Sequence, residues 1–296
     1  MRIGAIEAGG TKFVCGIGDE RGTIADSISF PTESPETMLG KAIAYFKDKR
    51  VEAIGIGAFG PIDLHPESPT FGFVTTTPKS GWRGFDFLGA LRSEFPVPFG
   101  WDTDVNAAAL GEATWGTAKG LNSCLYYTVG TGVGVGVYLE GRLVHGLVHP
   151  EGGHVPTRRH PDDDFAGLCP YHADCLEGMA SGPAIEARWK AKGQALPSDH
   201  PAWEIEAYYL AQAIAGAVLL MSPEKVVLGG GVMQQSRLFP LIRAEVRRNL
   251  NGYVVANEIL ERMDEYIVPP GLGQRAGLCG ALALGLAALQ GTLRST

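Results

Sequence analysis

A strand, a glycine-rich turn and a second strand occur twice in this chain, and that recurrence constrains the fold more than any other feature. Residues 2–7 read as a strand, Gly9-Gly10-Thr11 as a turn and Phe13–Ile17 as the returning strand. The unit reappears as Cys124–Val129, Gly130-Thr131-Gly132 and Val133–Tyr138, about 120 residues later. A repeat of that period is too long for a solenoid. It predicts two related α/β halves, each turning a glycine loop toward a shared cleft, with a boundary near residue 116: an N-terminal domain over 1–116 and a C-terminal one over 117–296.

The intervening pattern is layered α/β. Helical spacing over Pro35–Lys49 precedes an apolar strand at Glu52–Phe59, and a strand at Val97–Trp101 feeds a helix at Val105–Thr114. In the second half Asp162–Asp174 reads as an irregular loop. Ala202–Met221 and Leu238–Leu250 read as helices, and Lys225–Leu228 and Glu265–Val268 as strands. Ala276–Leu289 is a final apolar helix, buried on several sides and free to pack back on the N-terminal domain.

The 41 glycines among 296 residues are about twice the usual share and follow no collagen period. They are expected at turns and close backbone approaches, which hints at a ligand. A net charge of −7 and a pI near 5.5 argue against a nucleic-acid partner, which normally leaves a basic face. The uninterrupted apolar runs Ala213–Met221 and Ala276–Leu289 fall short of the roughly 20 residues a membrane span needs. Glu7 interrupts the place of a signal peptide's apolar stretch, so a cytoplasmic protein is expected. Five scattered cysteines make no disulfide framework.

Two common nucleotide motifs are excluded. Lys79 is the only lysine followed by Ser or Thr, and Pro78 precedes it, so there is no P-loop. Gly271, Gly273 and Ala276 mimic a dinucleotide fingerprint, but no acidic residue follows, which leaves a structural strand-to-helix turn. Gly9-Gly10-Thr11-Lys12 can instead wrap backbone N–H groups and a hydroxyl around a phosphate, with Lys12 adding charge; the bland reading is a hairpin turn. Gly130-Thr131-Gly132 could grip an adjacent phosphate, and Gly229-Gly230-Gly231 could lie against a base and ribose. Three such turns suggest one nucleotide. Asp104, between a strand and a helix, fits both a helix N-cap and a general base aimed at a substrate hydroxyl. His154, Cys169, His172 and Cys175 have the residue types and spacing of a structural zinc site, with His160 and Asp162–Asp164 as alternative ligands. The triple-Asp run otherwise reads as a solvated loop.

Together these motifs resemble the ROK family of sugar kinases and repressors, within the hexokinase and actin-like superfamily. The likeness runs from Ala8-Gly9-Gly10-Thr11-Lys12 through Asp104–Glu112, Gly130–Gly134, Glu151-Gly152-Gly153-His154, Cys175-Leu176-Glu177 and Ser181-Gly182-Pro183 to Gly229–Gly231. It implies two ribonuclease-H-like domains closing on sugar and ATP, usually as a homodimer, with Mg2+ accompanying ATP. Asp104 matches the catalytic base. Thr103, Glu151, His154 and Glu177 match sugar-contacting positions, His154 also ligating zinc. The glycine turns, with Pro183, match the ATP site.

Several positions depart from the family pattern. Glu7 stands where many members carry Asp near the magnesium hydration shell. Thr103 and Lys79, both beside the sugar by resemblance, replace asparagines, and a His replaces one cysteine of the zinc loop. This combination resembles the fructokinase branch and implies transfer from ATP to the 6-hydroxyl of fructose. The alternatives are a glucose, mannose or N-acetylhexosamine kinase, a non-catalytic sugar sensor, or a repressor. The repressor reading requires an N-terminal helix-turn-helix, whereas a strand is expected here from residue 2.

Overall fold

The computed structural model describes residues 1–292 and divides into two compact units. Unit 1 comprises Met1–Asn122, Gly136–Pro150 and the chain from Gly271; unit 2 comprises Ser123–Val135 and Glu151–Pro270. Unit 1 therefore includes the final helix.

In chain order unit 1 contains β1 (Ile3–Ala8), β2 (Lys12–Gly18), β3 (Ile24–Pro31), α1 (Pro35–Phe46) and β4 (Ala53–Ala58). A two-stranded ribbon, β5 (Phe73–Val74) and β6 (Phe85–Asp86), leads to α2 (Phe87–Arg92), β7 (Phe99–Thr103) and α3 (Asp104–Thr114). The sheet order is β3-β2-β1-β4-β7, with β1, β4 and β7 parallel and β2 and β3 antiparallel. The strands β8 (Cys124–Val129), β9 (Val133–Leu139) and β10 (Arg142–Leu143) follow, β9 passing from unit 2 into unit 1. The helices α4 (Leu176–Ala180), α5 (Gly182–Trp189) and α6 (Ala202–Met221) precede β11 (Val226–Gly229), α7 (Leu238–Leu250), α8 (Asn257–Leu260), α9 (Met263–Tyr266), β12 (Ile267–Val268) and α10 (Ala276–Gln290). The second sheet has the order β10-β9-β8-β11-β12. Counted among the strands of each five-stranded sheet, both read third, second, first, fourth, fifth. The internal repeat is thus a repeat of topology.

Local chemistry explains the elements that frame unit 1. Pro35 opens α1 behind the cap Ser34, whose hydroxyl accepts the Thr37 N–H, and the i, i+4, i+8 residues Met38, Ala42 and Phe46 are buried. Truncating Phe46 to Ala should cost about 3–5 kcal/mol. On the other face of the sheet, α10 packs against β4 and α3 where glycines remove side chains: Gly55 meets the Ala281 carbonyl, and Gly280 meets the Ala107 carbonyl. Buried Glu112 secures the approach to α10, accepting the N–H groups of Gly271 at 3.0 Å and Leu272 at 2.9 Å. The Gly271–Ala276 motif is accordingly a structural turn.

Several elements differ from the sequence expectation or add to it. β3 forms although six of its eight residues are exposed, because its ladder with β2 supplies the pairing that its composition does not advertise. Glu265–Val268 divides into the end of α9 and the short strand β12. By length and composition α6 is apolar enough to cross a membrane, yet it packs against α7 and buries Trp203, Glu206 and Tyr209.

Candidate functional site

In unit 1 the parallel strands β1, β4 and β7 end in register, Ala8 opposite Ala58 and Ala58 opposite Thr103. Gly9 and Asp104 therefore leave the same carboxyl edge, two strand spacings or roughly 10 Å apart. Open α/β sheets present ligands at that edge.

The Gly9 N–H donates to the Lys12 carbonyl at 3.0 Å, closing the turn around Gly10 and Thr11. Thr32 fastens it, its hydroxyl donating to the Gly9 carbonyl at 2.7 Å. A Cβ on Gly9 would stand 2.8 Å from the Lys12 carbonyl oxygen, so the turn requires glycine there. A Cβ on Gly10 would meet Lys79 Cε at 3.4 Å, which puts Lys79 beside the turn. Burial raises the Glu7 carboxyl to about 7; the Lys12 charge opposes that rise and Asp104 adds to it.

Asp104 is the first residue of α3. The cap is Thr103, whose hydroxyl oxygen accepts the Asn106 N–H at 3.1 Å and whose side chain is buried. Asp104 Oδ1 accepts the Val105 N–H at 2.9 Å. The structural task open to Asp104 in sequence thus falls to its neighbour. Burial lifts the Asp104 pKa to about 6 against that backbone hydrogen bond, a poise suited to accepting a proton near neutral pH.

Beneath this junction lies a network that sequence reading missed. Asp102 Oδ1 accepts the Thr103 N–H at 2.7 Å and the Asn106 amide at 2.9 Å, while Oδ2 pairs with His145 Nε2 at 2.7 Å. Asn106 Oδ1 accepts the Val137 N–H at 3.0 Å. For His145, burial pushes the pKa down, but the Asp102 hydrogen bond and charge outweigh it and the net shift is upward. The Asp-Thr-Asp-Val-Asn string flagged the junction; nothing in it designates a distant histidine.

Unit 2 has its own convergence. β8 and β11 run parallel with Thr128 opposite Gly229, so both glycine turns leave one edge. Gly130–Gly132 is closed by the Gly130 N–H donating to the Gly132 carbonyl at 2.8 Å, and the Gly130 carbonyl accepts the Gly182 N–H at 2.7 Å. A Cβ on Gly130 would lie 3.8 Å from the Gly231 nitrogen. The turn carrying Thr131, the start of α5 with Pro183, and Gly229-Gly230-Gly231 therefore adjoin. Gly230 has φ of +93° and backs onto the Val129 backbone, a conformation and an approach that both demand glycine.

Glu177, in the first turn of α4, accepts the Val133 N–H at 2.9 Å and stands 2.6 Å from where a Gly132 Cβ would be. Glu151 precedes the helical turn Gly152–His154. That turn rests on β9: Gly153 abuts the Val133 carbonyl, and a Cβ on Gly152 would approach Val135 Cγ2 to 2.8 Å.

His154, Cys169, His172 and Cys175 offer ligand atoms all within 4.8 Å of one another. His154 Nδ1 lies 3.7 Å from Cys169 Sγ and 3.5 Å from Cys175 Sγ, and His172 Nδ1 lies 3.6 Å from Cys169 Sγ. A tetrahedron with metal–sulfur bonds of ~2.3 Å and metal–nitrogen bonds of ~2.0 Å sets adjacent N and S about 3.5 Å apart. The cluster therefore fits a small tetrahedral cation. His160 and Asp162–Asp164 lie outside it. Asp163 departs from the solvated-loop expectation: it is buried, paired with Arg188 at 3.1 Å and bonded by the Tyr209 hydroxyl at 2.7 Å. This pair ties the loop that supplies Cys169 to α5 and α6.

Residues 3–288 match the family model described as ROK family. The chain belongs to the ROK family. A relative from Bacillus subtilis (strain 168) is 54% identical over 97% of this chain and 96% of its own. A protein of Pediococcus pentosaceus named fructokinase is 48% identical over 98% of this chain and 99% of its own. Among solved structures, a ROK family glucokinase from Streptomyces griseus, in complex with glucose and AMPPNP, superposes with a TM-score of 0.78 at 25% identity, covering 97% of this chain and 99% of that one. The ROK motif segments Ala8–Lys12 and Asp104–Glu112 fall in unit 1. Those from Glu151 to Gly231 fall in unit 2.

Proposed function

We propose that this chain is an ATP-dependent fructokinase that transfers the terminal phosphoryl group of ATP to the 6-hydroxyl of D-fructose. The observation that carries the chemistry is the shared strand edge of unit 1, from which both a glycine turn suited to phosphate and a carboxylate poised near 6 emerge. The sugar assignment rests on relatives named fructokinase, of which the Pediococcus pentosaceus protein is 48% identical along almost the whole chain.

In this reading Asp104 accepts the proton of the attacking hydroxyl. Glu151, His154 and Glu177 orient the sugar. The turns Gly9–Lys12 and Gly130–Gly132 hold phosphates through backbone N–H groups, and Gly229–Gly231 with Pro183 lie against the nucleoside. Mg2+ bound with ATP would supply charge neutralisation for the phosphates during transfer. Glu7, an oxygen donor next to the first turn, suits contact with that ion through its water shell. His154, Cys169, His172 and Cys175 hold zinc, which contributes loop rigidity and no chemical step. A cytoplasmic homodimer completes the proposal, supported by the family resemblance.

An ADP-release assay over free hexoses tests the reading. Fructose-dependent ADP formation is expected; ATP turnover indifferent to every hexose removes the kinase assignment.

A further inference from the structure

Lys79 stands beside the first glycine turn. Its Cε stands 3.4 Å from the position a Cβ on Gly10 would take. The ammonium is one bond of about 1.5 Å further out, within reach of a group held in the turn. The segment carrying it is firmly held. The Lys79 N–H donates to the Thr77 hydroxyl at 3.3 Å, and its carbonyl accepts the Trp82 N–H at 3.3 Å. Trp82 is 1% exposed, packs edge-on against Phe59, Phe85 and Phe87, and donates its indole N–H to the Glu33 carbonyl at 2.9 Å. The backbone from which Lys79 extends is thus anchored.

Lys79 is half-buried, and among the described residues it makes no ion pair within 4.0 Å. Burial alone shifts it, downward, with no carboxylate acting on it. Glu7, the nearby acid, feels Lys12 and Asp104 instead. A partly exposed cation with no protein counter-charge is free to meet an anionic ligand. The glycine turn beside it is suited to an anion, and it opens on the same strand edge as Asp104. Of the phosphates of ATP, the one nearest the base is the one being transferred.

We propose that Lys79 is a catalytic residue whose ammonium contacts the terminal phosphoryl group at the Gly9–Lys12 turn. This assignment rests on the kinase reading above and moves Lys79 from the sugar, where resemblance placed it, to the phosphate. In the reaction the fructose hydroxyl oxygen forms a bond to the γ-phosphorus, and the bond from that phosphorus to the β–γ bridging oxygen breaks. The electron pair leaves with ADP and the hydroxyl proton goes to Asp104. Lys79 exchanges no proton; it balances the charge that spreads over the phosphoryl oxygens, the role electrostatic donors play in such transition states.

The test uses Lys79→Met, which keeps the chain length and removes the charge, Lys79→Gln as a second neutral variant, and Lys79→Arg, which restores the charge. Affinities for AMPPNP and ADP are measured by titration calorimetry alongside kcat and the fructose KM. The expected result for both neutral variants is a kcat lower by roughly 10²–10³-fold, AMPPNP binding weakened at least five-fold, ADP binding within two-fold of wild type, and partial recovery of kcat in Lys79→Arg. Three results overturn the proposal: kcat within three-fold of wild type, a raised fructose KM at unchanged kcat, or equal losses of ADP and AMPPNP affinity. Failure of the wild-type protein itself to bind AMPPNP or phosphorylate fructose marks instead a failure of the kinase reading.

Discussion

His145 Nε2 and Asp102 Oδ2 stand 2.7 Å apart, and through Asp102 the histidine supports the junction from which Asp104 projects. Asp102 is 1% exposed and His145 partly so, so the pair mixes a desolvated carboxylate with a solvent-touched imidazole. His145→Ala leaves the buried acceptor short of a donor, which should cost about 1–3 kcal/mol and lower kcat more than it raises either KM. The pH dependence has a definite sign. The folded pKa of His145 is raised above its ordinary 6.5, so the stability from its charge is complete below that value and is lost as pH rises through the higher folded pKa. His145→Gln, which can donate without charge, should therefore be further below wild type in denaturant midpoint at pH 6 than at pH 8.5. A constant difference across that range contradicts the charged pair.

Asp104→Asn should bind ATP and fructose nearly normally while losing roughly 10²–10⁴-fold in kcat, the range for a general base. Wild-type kcat/KM should fall as pH drops through about 6, because the protonated carboxyl cannot take the hydroxyl proton. Burial of an ionised carboxylate opposes folding at neutral pH, so the neutral amide should raise the unfolding temperature, by about 2–4 °C for each kcal/mol recovered. A more stable and inactive variant separates a catalytic carboxylate from a helix cap, whose loss would lower stability.

Metal analysis of protein purified without chelator should find one zinc per chain, and Cys175→Ala should lose it. The N–S separations of 3.5–3.7 Å around His154 leave little rearrangement for binding. Because Glu151 and Glu177 flank ligands of the cluster, metal loss should weaken fructose affinity together with thermal stability. Full zinc content in Cys175→Ala removes that cysteine from the ligand set.

The legible parts of the sequence were those whose signal is local. Ala202–Met221 and Leu238–Leu250 match α6 and α7 to the residue, because length and 3.6-residue periodicity suffice for long helices. The glycine turns and the Cys/His loop announced themselves by residue type and spacing. What escaped depends on partners distant in sequence. β3 shows no alternation because it is an edge strand exposed along most of its length. Asp163 looked solvated until Arg188 and Tyr209 enclosed it. Many glycines that hinted at a ligand serve packing instead: Gly55 and Gly280 let α10 lie against β4 and α3. Thr103 and Asp104 were adjacent candidates for one cap, and only hydrogen-bond geometry assigns it to Thr103.

At the two positions where the family's usual pattern has asparagine, this chain has Thr103, whose hydroxyl oxygen caps α3, and Lys79, which stands beside Gly10. Neither supplies the amide, so a pyranose that depends on those contacts would bury a hydroxyl without compensation, whereas the furanose ring of fructose sets its hydroxyls differently. The direct measurement is kcat/KM for fructose, mannose and glucose with ATP on one preparation, with the position of the product phosphate read by phosphorus NMR. Fructose should give the highest value and a 6-phosphate product; a glucose value equal to or above that for fructose, or phosphate at another carbon, contradicts the account.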